Sequence, residues 1–253
     1  MAGNEQLRSE LGAAMSGARS PLAAADRLCN ACVGLLEVDG ASISLAVDGV
    51  SRGTIGASGD LSRRLDELQF TFGEGPCLDA VRVGRPVLVS DLDDPAHTRW
   101  PAFTGAVLDA GIGALFALPV SLSRQRVGAL DLFRNERGPL SDDAMAGGLL
   151  AAELAALPVL DLLTEHRDWD AAGRQEDSWT QLASIERVEV YQATGMIMAA
   201  LDVDPSEALV RLRAHAYAHN MTASEVAWEI VDRTLSLDGP DWRPADSGEG
   251  RAR

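Results

Sequence analysis

The sequence predicts an α+β domain, an antiparallel sheet with flanking helices, followed by an all-α bundle of three helices. Three observations predict it. Two pairs of strand-like runs, 41–47 with 50–57 and 114–120 with 126–133, are each joined by a short turn, which favours hairpins over parallel crossovers. Helical patterns alternate with those runs as far as about residue 169. Beyond a polar stretch at 170–177 no strand pattern returns, and two capping sequences punctuate what remains.

The elements follow in order. Residues 1–19 are small and weakly amphipathic, an N-terminal helix or tail. Ser20-Pro21 pairs an N-cap with a proline at the first helical position, and Leu22, Ala25, Leu28, Cys29, Cys32, Leu35 and Leu36 form the apolar stripe of a helix ending at Asp39-Gly40. Ala41–Val47 and Val50–Ala57 read as strands around an Asp48-Gly49 turn. A short helix over 61–68, a loop from Phe72 to Pro76, a helix over 78–83, a brief strand at 86–89 and a helix over 103–110 come next. A second hairpin turns at Ser123-Arg124-Gln125. Ser141 then caps a leucine-rich helix expected to persist to about Trp169, with a kink at Pro158, so that the first domain spans 20–169. Gly173 marks the linker at 170–177.

The second domain, 178–237, opens with a helix from about Trp179 to Leu201. Asp204-Pro205-Ser206-Glu207 and Thr222-Ala223-Ser224-Glu225 start the other two. Ala208, Leu212 and Ala216 face inward from the middle helix, as do Val226, Ala227, Ile230 and Thr234 from the last, with Asn220 a helix stop between them. Residues 238–253 are expected to be a disordered tail.

Composition excludes several chemistries. The chain of 253 residues carries a net charge of −16, and all 22 of its basic residues are arginine. Without lysine there is no Schiff-base nucleophile, no phosphate-loop lysine and no lysine general base. The acidity argues against non-specific nucleic-acid binding, which rests on neutralising phosphates, so any such binding needs a local basic face. Cys29, Cys32 and Cys77 are an odd number with no export signal before them, which disfavours a disulfide framework. The apolar run Ala110–Ser123 is too short to cross a bilayer, and the expected location is cytoplasmic. His97, His166, His215 and His219 are scattered and make no metal set, and no catalytic constellation stands out. Cys29-Asn30-Ala31-Cys32 lacks the helix-N-terminal position that activates a thiol and the second pair that zinc needs.

The run Arg187-Val-Glu-Val-Tyr-Gln-Ala193-Thr-Gly195-Met-Ile-Met198, with Glu207-Ala208, Leu212-Arg213, Ala216, Asn220 and Val226-Ala227, resembles an ANTAR domain, the RNA-binding module of bacterial transcription antiterminators. The family commonly has lysine before the glycine, where this chain has Thr194. Residues 20–165 are similar to a GAF domain through Gly73-Glu-Gly75-Pro-Cys77, Gly84-Arg-Pro86-Val87 with Asp91, Ala117-Leu-Pro119-Val120 and Val127-Gly128-Ala-Leu130. The resemblance implies a non-catalytic, signal-controlled antitermination regulator that acts as a dimer on stem-loops in nascent RNA, without a resident cofactor. A small-molecule signal in the first domain would meet Cys77, Asp91 and Trp100.

The RNA-facing residues expected are Arg187, Arg211, Arg213, Tyr217, Asn220 and Trp228. Arg211/His215 and Arg213/Tyr217 are spaced one turn apart, and Trp228 points away from Val226 and Ile230. Exposed aromatics near arginine suit stacking on unpaired bases. The same rings also suit packing against the linker helix or another subunit, in a protein-interaction regulator whose bundle no longer binds RNA. Gly195 reads either as a close helix contact, the favoured reading, or as an approach for a nucleic-acid backbone.

Overall fold

The structure, a computed structural model, describes residues 2–47, 50–162, 187–239 and 242. The Asp48-Gly49 turn, the end of the long helix beyond 162, the linker, the start of the first bundle helix and most of the tail lie outside the described residues. The chain divides into two compact units, Met1–Glu186 and Arg187–Arg253.

The first unit contains α1 (Ala2–Met15), α2 (Pro21–Leu35), β1 (Gly40–Val47), β2 (Val50–Ala57), α3 (Asp60–Phe72), α4 (Pro76–Val83), β3 (Val87–Val89), α5 (Pro101–Asp109), β4 (Ala114–Leu122), β5 (Gln125–Arg134) and α6 (Asp142–Leu154). Its five strands form one antiparallel sheet in the order β2-β1-β5-β4-β3. Strand alternation divides the side chains between two cores. Ile43, Phe116, Leu118, Leu130 and Leu132 face Leu28, Cys32, Ala151 and Val159 of α2 and the α6 region. Leu115, Ala117 and Phe133 face Leu65, Phe103 and Val107 of α3 and α5.

Two helices of this unit, α2 and α6, start on side-chain caps. Ser20 Oγ accepts from Ala23 N–H at 3.2 Å, and Ser141 Oγ accepts from Ala144 N–H at 3.2 Å. α3 runs to Phe72, longer than its pattern suggested, because the stop is Gly73 in the left-handed region at φ 67°. The expected loop therefore shrinks, and Pro76 opens α4. α6 is interrupted by a turn at Ala155 and resumes over 156–162. Pro158 accounts for the break, since it has no N–H for the Leu154 carbonyl four residues back. By length and composition Asp142–Leu162 would suffice to cross a membrane. Its small side chains instead lie on the domain: a Cβ at Gly147 would stand 2.3 Å from Leu36 Cδ2, and one at Gly148 would stand 2.8 Å from Leu118 Cδ1.

The second unit contains α7 (Val188–Leu201), α8 (Pro205–Ala218) and α9 (Ala223–Val231). Val190, Ala193, Ile197, Ala208, Leu212, Ala216, Val226, Ala227 and Ile230 are its buried apolar core. Asp204 accepts from Ser206 and Glu207 N–H at 2.8 and 3.0 Å and from Ser206 Oγ at 2.6 Å, and these bonds, the hydroxyl's foremost, hold its carboxyl below the ordinary range. Thr222 and Glu225 form a reciprocal capping box. Asn220 takes the left-handed conformation, φ 56°, that reverses the chain after α8. Two expectations are corrected. Thr234 is exposed rather than inward, because α9 ends at Val231. Trp242, assigned to a disordered tail, is 2% exposed, its large ring having found an aromatic partner.

Candidate nucleic-acid interface

The structure sends the two arginines of α8 to different flanks. Residues two apart on a helix diverge by about 200°. Arg211 Nε donates to Glu207 Oε1 at 3.1 Å, Nη2 to the same oxygen at 2.5 Å, and Nη1 to the Trp242 carbonyl at 2.5 Å. Its side chain is only 18% exposed. The expectation that Arg211 lies open to RNA is thus corrected: a carboxylate one turn earlier takes its guanidinium.

Arg213 occupies the other flank. Burial lowers its guanidinium below the ordinary value, and the charge of Arg187 adds to that. Arg187 is 3% exposed, caps α7 in the left-handed region at φ 48°, and its carbonyl accepts from Val190 and Tyr191 N–H. It is therefore a buried charge felt by Arg213 rather than an open contact. Tyr217, one turn beyond Arg213, is 59% exposed, and Asn220 is exposed at the end of the same flank. Tyr191, one turn after Arg187, is also 59% exposed. The sequence reading missed it, although its spacing from Arg187 was the available signal.

Two details of α7 bear on this flank. Thr194 Oγ1 donates to the Val190 carbonyl at 2.6 Å, so the residue in the lysine position turns back on its own helix. Gly195 is exposed, and a Cβ there would meet nothing within 4 Å among the described residues. Among the described residues no helix approaches Gly195 closely, against the favoured reading of a close helix contact. Trp228 is 54% exposed on α9, with Glu225 three residues before it and Asp232 four after, so acids rather than arginines flank it.

In the first unit, the three candidate signal residues have separate surroundings. Cys77 is wholly buried with Ala46, Val81 and Ala129, its N–H donating to Gln69 Oε1 at 2.8 Å. Asp91 caps its own turn through Asp93 N–H at 3.0 Å and faces Arg137 Nε at 3.4 Å. Trp100 is buried, donates Nε1–H to Asp79 Oδ2 at 3.1 Å and lies under Arg99, 4.3 Å from guanidinium carbon to ring. Burial pushes the Cys29 thiol up and the Cys32 thiol up to about 12, which makes them packing residues.

A polar layer between the sheet and α3 escaped the sequence reading. Asp66 accepts from Ser44 Oγ at 2.5 Å and Thr54 Oγ1 at 2.6 Å, and Asp131 accepts from Gln69 Nε2 at 2.6 Å. Burial pushes the Asp131 carboxyl up to about 8. Its members come from four elements, so no local motif announced them.

Family models match both units: a GAF domain over residues 18–157 and an ANTAR domain over 180–231. The chain is a GAF–ANTAR protein. Both are sensory and regulatory rather than catalytic domain types. No curated protein matches this GAF–ANTAR chain. Among solved structures, the GAF domain of a phosphoenolpyruvate-protein phosphotransferase from Coxiella burnetii is 15% identical, with a TM-score of 0.52, covering 66% of this chain and 98% of that one. The GAF domain of the corresponding Acinetobacter protein is 13% identical with a TM-score of 0.49, covering 65% and 97%. The fRMsr of Staphylococcus aureus, solved with its substrate, is 12% identical with a TM-score of 0.46, covering 62% and 95%. At these identities the first of them speaks to the fold of the first unit alone.

Proposed function

We propose that this GAF–ANTAR protein is a cytoplasmic, non-catalytic antitermination regulator that grips stem-loops in nascent RNA as a homodimer. A signal at the GAF domain biases it between two states. The observation that carries the RNA reading is the Arg213–Tyr217–Asn220 flank of α8, on which Tyr217 and Asn220 are exposed, with a further exposed tyrosine, Tyr191, on α7. A half-desolvated guanidinium attracts a phosphate more strongly than a hydrated one, and phenol rings stack on loop bases without regard to sequence. Gly195, open on α7, leaves room for a nucleic-acid backbone there.

One observation favours a second reading, a protein-binding adaptor: Trp228 is an exposed aromatic in an acidic setting. A gel shift with a double stem-loop RNA across a salt series separates the two. RNA binding by the wild type weakens with salt, by a slope of roughly −0.7 to −0.9 per phosphate neutralised. Arg213→Ala with Tyr217→Ala weakens it by at least about tenfold, while Trp228→Ala leaves it within about twofold. Absent or salt-insensitive binding supports the adaptor.

A further inference from the structure

Trp242 lies beyond the three helices yet is 2% exposed. Its indole stacks on His215, centroids 4.7 Å apart with 12° between the planes, and His215 stacks in turn on His219 at 4.1 Å and 23°. The Trp242 carbonyl accepts from Arg211 Nη1 at 2.5 Å. Arg211, His215 and His219 recur every fourth residue, so they line one flank of α8, away from the Arg213–Tyr217 flank. A flat ring laid on an imidazole and an acceptor placed on a guanidinium are the two interactions by which a protein holds an unpaired base. Burial alone would not require either geometry. His219 stacks on the His215 imidazole and holds it in place at the exposed end of the column.

We propose that Arg211 and His215, the latter backed by His219, form a nucleobase slot that the chain's own Trp242 occupies in the RNA-free protein, and that an unpaired base of bound RNA displaces the indole. The inference rests on the RNA-binding reading for its ligand and adds a second contact on a different flank. Self-occupation lowers the apparent affinity by the fraction of molecules in which the slot is open.

Two measurements on the full chain test it. In hydroxyl-radical footprinting of the wild type, Trp242 oxidation rises several-fold when a stem-loop RNA with an unpaired loop is added. In anisotropy titrations with single-stranded hexaadenylate, Trp242→Ala binds about tenfold tighter than the wild type. His215→Ala on that background removes the gain. If the wild type binds the stem-loop while Trp242 stays protected and Trp242→Ala binds no tighter, the slot is refuted and the antitermination reading stands. If the stem-loop is not bound but Trp242→Ala takes up hexaadenylate through His215, the slot stands and that reading falls. If neither RNA binds either protein, both fall.

Discussion

Asp131 shows how one residue makes the first unit respond to pH. It sits on β5 opposite Ser42 of β1, fully buried, and among the described residues neither Asp131 Oδ1 nor Ser42 Oγ has a hydrogen-bond partner. In the folded chain burial pushes the carboxyl up to about 8, against an ordinary 3.8. The folded state therefore binds more protons between those values, and stability falls as pH rises through the window, levelling off above it. Asp131→Asn keeps an acceptor for Gln69 and supplies an amide donor towards Ser42. It is expected to melt at a higher temperature than the wild type at pH 8, with the gap shrinking at pH 5. A gap independent of pH in calorimetric scans would show that Asp131 is not protonated in the fold.

The helices of the second unit are short, so their ends matter more than their propensities. α8 begins on one carboxylate that satisfies two otherwise orphaned N–H groups. Asp204→Ala removes that cap and, in a module this small, should lower the melting midpoint by several degrees, read by circular dichroism. Capping was legible because it is local: Ser20, Ser141, Asp204 and Thr222 each cap the helix that their own neighbours spell out. The flank on which a side chain ends up was less legible. Arg211 and Arg213 look equivalent in a string, yet Glu207 and Trp242 bind the first while burial and the charge of Arg187 act on the second.

At the scale of the molecule, α6 and its continuation leave Leu149, Leu157 and Leu160 exposed at 43%, 51% and 44%. Leu157 also lines a groove of about 500 Å³ together with Met15, Pro158 and Asp161. Homodimerisation through this helix predicts that Leu157→Glu shifts the protein from dimer to monomer in sedimentation equilibrium. The melting temperature of the first unit should stay nearly unchanged, because the side chain is already half exposed in the single chain. A dimer that survives the substitution places the seam elsewhere.

Sequence by itself determined the fold class, the hairpins, the caps and the apolar stripes, since each depends on residues within a turn or two of one another. Cysteine packing was legible too, because Cys29 and Cys32 sit on the buried stripe of α2. Only the tertiary structure decided the polar layer around Asp66 and Asp131, the burial of Arg187, the diversion of Arg211 and the docking of Trp242. Apart from Glu207, one turn before Arg211, those outcomes depend on partners from distant segments, whose desolvation and geometry no local pattern encodes.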